Sequence, residues 1–166
     1  MRILQILLVQ TGRQALWIIC LLPFTFSYSV SAEPELMLRS FPKGQLIIAG
    51  DLRCTRFSVF VADTPAHRAQ GLMHIRSMQA DEGMIFLYDA PTEINMWMKN
   101  TFISLDMLFI SSEGVLQQIA AQTKPLSETI ISSKSTVSAV LELNAGAAAY
   151  YGLASGNRII YPNTLN

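Results

Sequence analysis

Residues 96–110 read MWMKNTFISLDMLFI, and the reading of this stretch decides the fold. Two apolar runs meet over a polar island, Lys99-Asn100-Thr101. Asp106 stands alone among Leu105, Met107, Leu108, Phe109 and Ile110. Such a run of β-favouring residues implies two short strands bent at the island. A charge in apolar surroundings is costly unless partnered, so a polar group elsewhere in the fold must meet Lys99 or Asp106.

Outward from this stretch, the chain alternates short apolar runs with turn signals. Gln45 to Ala49 and Phe57 to Ala62 read as strands separated by Gly50-Asp51. Thr64 suits a helix cap, Pro65 the first helical position and Gly71 the left-handed residue after the end, which predicts a two-turn helix. Met84 to Tyr88 is another buried strand, and Asp89 to Thr92 a turn leading back to the central stretch. Ser111 to Gly114 turns into a partner strand, Val115 to Ala120. Thr123 to Ser135 is polar and contains Pro125, and is expected as a long surface loop. Thr136 to Leu143 alternates as a strand, Asn144 caps a helix closed by Gly152, and Arg158 to Tyr161 is the last strand. About seven strands and two short helices, with connections too short for several crossovers, predict a mainly β domain with largely antiparallel pairing. A small antiparallel β-sandwich, jelly-roll-like, or a partly closed barrel with two peripheral helices satisfies this pattern.

The first 32 residues read as a signal peptide. Arg2 and Arg13 supply positive charge, Ala15 to Val30 is strongly apolar, and Val30-Ser31-Ala32 ends in small residues. Cleavage is expected after Ala32. The alternative is an uncleaved inner-membrane anchor, against which Pro23 interrupts the apolar run. Residues 33–44 form a loose lead-in, 45–162 the single domain and 163–166 a tail. A periplasmic or secreted location follows, with membrane contact only through an uncleaved leader. Two of the twelve basic residues and none of the twelve acids precede the cut, leaving 10 basic against 12 acidic and a net charge of −2. Nucleic acid is therefore an unsuitable partner. Cys54 alone remains after the leader, so no internal disulfide forms. With no activating base near it in sequence, Cys54 is expected as a small buried hydrophobe.

Val61-Ala62-Asp63-Thr64-Pro65 with Arg68 and Gly71-Leu72-Met73, then Glu82-Gly83-Met84-Ile85-Phe86, then Trp97-Met98-Lys99-Asn100-Thr101 with Leu105-Asp106, then Val140-Leu141-Glu142-Leu143, Ala145-Gly146 and Gly152-Leu153 occur in order. These blocks, spread from about Gln45 to Tyr161, resemble the domain-of-unknown-function 192 family. The resemblance implies a compact, mostly β, jelly-roll-like domain, often behind an export signal, and it implies no reaction. Asn157 departs from the family pattern, which carries an acid after the glycine. If that acid caps a turn, asparagine can substitute; if it binds something, this member differs.

The polar residues inside the matched blocks define the expected site: Arg68, Glu82, Lys99, Asn100 and Asp106, with Trp97 as a stacking wall. Arg68 and Lys99 would meet an anionic or hydroxyl-rich ligand, with Asp106 orienting Lys99. The plainer reading has Lys99 or Arg68 pairing with Asp106 or Glu82 to pin loops. Met96 and Met98 flank Trp97, which would turn both sulfurs to one face of a strand and suit Cu(I) if both were exposed. No Gly-x-Ser-x-Gly elbow and no phosphate-binding glycine motif is present. No cofactor is expected. The sequence thus points to a binding or accessory module of the cell envelope for an unidentified small-molecule or envelope ligand. The alternatives are an enzyme acting on an envelope polymer and a copper binder.

Overall fold

The computed structural model describes residues 38–50 and 54–161. The leader, the cleavage point, residues 33–37 and the 163–166 tail lie outside the described residues.

The strands are β1 (Lys43–Ala49), β2 (Cys54–Ala62), β3 (Glu82–Met96), β4 (Leu105–Ile110), β5 (Leu116–Ala120), β6 (Ile131–Asn144) and β7 (Arg158–Ile160). Among the described residues, two short helices, α1 (Pro65–Gln70) and α2 (Ala147–Tyr151), accompany the strands. All seven strands form one sheet in the order β5-β4-β6-β3-β2-β1-β7. Every pairing is antiparallel except β2 with β3. That parallel pair is reached by the single crossover through α1, which the count of short connections did not anticipate.

The sheet curls until its two edge strands approach. Val115 bridges Arg158, and Leu116 N–H donates to Asn157 O at 2.9 Å, Gly156 N–H to Leu116 O at 2.8 Å and Ile159 N–H to Gly114 O at 2.7 Å. The result is a half-barrel tied near the start of β5, which is the partly closed barrel among the expected forms. Tying the edges there pairs part of the row of backbone groups that an open sheet leaves unpaired.

Period-two alternation sorts each strand's residues onto two faces. One cluster draws on all seven strands, through Ile48, Val59, Ile85, Leu108, Leu116, Leu141 and Ile159, and therefore fills the inside of the curl. The other, with Phe60, Met84, Phe86, Met107, Phe109 and Val140, comes from the four neighbouring strands β4, β6, β3 and β2. It is roofed by Leu38, Phe41, Leu72, Ile75 and Met98. Asp106, alternating with Leu105 and Met107, falls on the inner side. Glu142, flanked by Leu141 and Leu143, falls on the outer.

Five local expectations change. Asp89 to Thr92 is not a reversal: β3 continues to Met96, with Tyr88, Asp89, Ala90 and Pro91 standing opposite Ser138 alone as a bulge. A bulge accommodates Pro91, which has no N–H to give a ladder. The first half of the central stretch is not a strand. Met98 N–H donates to Ser127 O at 2.9 Å and Leu126 N–H to Thr101 O at 3.1 Å, so residues 97–104 bond to the loop before β6 instead of to a sheet. Asn144 does not cap α2. Gly146 takes that position without a side-chain bond, while Asn144 Nδ2 donates to Met78 O and Gln79 O. The long loop ends earlier than expected, because β6 already begins at Ile131. Cys54 is exposed rather than buried, at the first position of β2.

Candidate functional site

Helix α1 is made as its sequence directs. Thr64 Oγ1 accepts from His67 N–H at 3.1 Å, Pro65 opens the first turn and Gly71 ends it at φ +49°. The helix delivers Arg68 to the outer face of the sheet. There Nη1 donates to Asp63 O at 2.6 Å and Leu87 O at 2.8 Å, and the guanidinium carbon lies 5.1 Å from the Tyr88 ring centroid.

Beside it opens a cavity of about 100 Å³, lined by Arg68, Phe86, Tyr88, Trp97, Lys99 and Glu142 among others. Met73 and Met96 add to its apolar wall. The volume is well below the roughly 300–1,000 Å³ of pockets that enclose a drug-sized ligand. It suits one small molecule or the end of a larger one. Trp97 is half exposed at its edge.

Glu142 is the unusual member. Its side chain stands between Met84 of β3 and Met107 of β4, its partners in register, and the residue is 4 % exposed. No hydrogen bond or ion pair holds its carboxyl among the described residues. Desolvation by burial pushes that carboxyl from 4.5 up to about 8. Burial also raises the Tyr88 phenol above its ordinary value, with Arg68 opposing and Glu142 reinforcing the rise. A buried, unpartnered ionisable group at a cavity is a mark of a functional site.

Of the six residues expected at the site, Arg68, Trp97 and Lys99 line this cavity and the other three stand apart. Glu82 faces a separate recess of about 410 Å³ with Lys43, their charged atoms 4.0 Å apart. Asn100 sits at φ +55°, a conformation asparagine tolerates, where its carbonyl accepts from His74 N–H at 2.8 Å and Nδ2 reaches Met73 Sδ at 3.9 Å. Asp106 is fully buried on the inner face, accepting from the N–H groups of Gln122 and Ala148. Asp106 therefore does not orient Lys99, whose ammonium lies 3.6 Å from Glu128. Nor do Arg68 and Lys99 pair with Asp106 or Glu82 to pin loops. Met98 is 1 % exposed with its sulfur accepting from Thr123 Oγ1, so Met96 and Met98 do not present two open thioethers. Asn157 Oδ1 accepts from Ala154 N–H at 2.8 Å, the turn-capping role an acid would fill there.

Glu142 is the residue that sequence reasoning passed over. Its signal was present: an acid inside the alternating run 136–143, between two leucines bound for the core.

The family model of DUF192, described as "Uncharacterized ACR", matches residues 46–161. The chain belongs to the DUF192 family. No curated protein matches it. Among solved structures, the chain is similar to a candidate transcription regulator from Sinorhizobium meliloti, at 40 % identity over 74 % of this chain and 95 % of that one, with a TM-score of 0.72. It is also similar to a protein of unknown function from Novosphingobium aromaticivorans, at 34 % identity over 71 % and 84 % of the two chains, with a TM-score of 0.70.

Proposed function

We propose that the protein is an exported binding module whose ligand, small and anionic or hydroxyl-rich, seats in the cavity between Arg68, Trp97, Lys99 and Glu142. The observation that carries this reading is the cavity's mixture of unmatched polar groups and apolar walls. A floor carboxyl without a protein partner keeps its oxygens open to the cavity, where a ligand can satisfy them, while Trp97 and Phe86 offer stacking surface. The export part rests on the leader: positive charge, an apolar run and the small residues before Glu33.

A thermal-shift panel of sugars, organic anions and nucleotides tests the binding part on the full chain. A compound that binds only the native state raises the melting midpoint by mass action. The expected result is a shift in the wild type that falls at least tenfold in ligand potency in Lys99→Ala. A panel that leaves the wild-type midpoint unmoved overturns the reading. Fractionating producing cells tests export, which a product retained whole in the cytoplasm would contradict.

A second reading is favoured by Glu142 alone. A carboxyl whose pKa lies near neutrality at an open cleft has the properties of a general acid–base group. The protein would then be an enzyme acting on an envelope polymer. Turnover of cell-wall or polysaccharide fragments by the wild type, abolished in Glu142→Gln, separates it from a pure binder.

A further inference from the structure

We infer that the cavity recognises a carboxylate, gripping it between the open edge of the Arg68 guanidinium and a protonated Glu142 carboxyl, so that ligand and proton are held together. The inference rests on the binding-module reading and names its ligand class.

The first half of the grip is Arg68. A guanidinium carries five N–H donors. Nη1 spends its two on Asp63 O and Leu87 O, at 2.6 and 2.8 Å. The three on Nη2 and Nε have no partner among the described residues. Two backbone carbonyls and the Tyr88 ring fix the plane of the group. A guanidinium held rigid, with donors to spare and a cavity at its side, is a preformed fork for a planar oxyanion.

The second half is Glu142. Its carboxyl is nine-tenths buried and more, reaches the same cavity and has no protein partner. The other ionisable groups lining that cavity are Arg68 from α1, Tyr88 from β3 and Lys99 from the loop after β3, with Glu128 beyond Lys99. A cationic ligand would meet Arg68 and Lys99 as like charges. A neutral sugar would satisfy donors without using the charge. A carboxylate accepts from Arg68 with one oxygen and from the Glu142 proton with the other, leaving neither group orphaned. Two carboxyl groups in contact share one proton because both cannot ionise together. Burial already keeps that proton on Glu142 near neutrality.

Benzoate is the probe, because its ring can lie on Trp97 and Phe86, with benzamide and methyl glucoside as neutral controls. The full chain carries Trp17→Phe, so that Trp97 is its sole indole and reports occupancy by its emission. Saturable benzoate binding is expected, with benzamide at least tenfold weaker. The benzoate Kd should be flat up to about pH 8 and rise about tenfold per unit above it, as the floor proton is lost. Glu142→Gln keeps a donor, and should bind benzoate within about threefold of wild type at pH 7 with no rise at higher pH. Arg68→Lys, which loses the fork, should weaken benzoate at least tenfold. Binding of benzamide or methyl glucoside without benzoate overturns the carboxylate and leaves the binding-module reading standing. Benzoate binding indifferent to pH overturns the shared proton. If none of the three probes moves Trp97 emission, the carboxylate inference falls. If the wider thermal-shift panel is silent as well, the binding-module reading falls with it.

Discussion

Asp106 Oδ2 accepts a hydrogen bond from the Ala148 N–H at 2.9 Å, while its Oδ1 accepts from Gln122 N–H at 2.8 Å. The lone acid of the central stretch is thus satisfied by backbone, not by Lys99. It supplies α2 with the N-terminal acceptor that Gly146 lacks, and it holds Gln122, at φ +51°, in a turn that side chains rarely adopt. Asp106→Ala strands one buried donor, Ala148 N–H, and one half-buried donor, Gln122 N–H, at about 1–3 kcal/mol for a fully buried group and less for the other. The expected loss is roughly 3 kcal/mol, read as a lower urea midpoint with an unchanged slope. Asp106→Asn, which keeps one acceptor, should lose less. A loss below 1 kcal/mol in Asp106→Ala would show that neither bond matters to the fold.

Lys99 makes the opposite case. Its ion pair with Glu128 joins side chains 49 % and 71 % exposed. Exposed pairs of this kind contribute about 0.2–1 kcal/mol. Lys99→Ala is therefore expected to unfold within about 1 kcal/mol of wild type while losing ligand affinity. A variant as destabilised as Asp106→Ala would make Lys99 a structural pin.

Gly83 matters through the space it leaves. In β3 it faces Leu143 of β6, and a Cβ built there would lie 2.7 Å from Glu142 O and 2.8 Å from Leu143 Cδ2. The nearer clash is with backbone inside a sheet, which cannot step aside cheaply. Gly83→Ala should destabilise by on the order of 2 kcal/mol. Because the strain falls on the residue that floors the cavity, benzoate affinity should drop as well. Normal stability in chemical unfolding would mean that β6 yields more readily than its pairing on both sides implies.

How far the sequence could be read follows from how local each signal is. Helix α1 was legible because Thr64, Pro65 and Gly71 act within a few residues of one another. The β4–β5 hairpin was legible from Ser111 to Gly114 for the same reason, and the mainly β class from period-two runs such as 57–62. The β2–β3 crossover was not legible, since only the whole sheet order decides that two strands run parallel. Asp89 to Thr92 carries turn chemistry, yet serves as a bulge because β6 is long enough to keep pairing beyond it. The site was half legible. Arg68, Trp97 and Lys99 share a cavity, whereas Asp106, expected at the site, is held by backbone N–H groups and Glu142, to which the sequence reading gave no role, floors the cavity. Both are single acids in apolar runs, and only the face each strand turns inward distinguishes them: Asp106 points into the curl toward a helix N–H, and Glu142 points out to a cavity.

That outward position gives Glu142 a measurable effect on folding. Burial raises its carboxyl from 4.5 to about 8 in the folded protein. Below the unfolded value both states hold the proton and the group is neutral to stability. Between 4.5 and about 8 the unfolded chain releases the proton and the folded one keeps it. Stability therefore falls as pH rises through this window, at no more than about 1.4 kcal/mol per unit. Above about 8 both states are ionised and the loss levels off. Glu142→Gln has nothing to titrate, so its advantage over wild type should grow from pH 5 to about 8 and then stay constant. Urea unfolding of both proteins across that range checks it. Parallel curves would mean that Glu142 is already ionised in the native state at neutral pH. In that event the proton shared between Glu142 and a carboxylate ligand would be overturned.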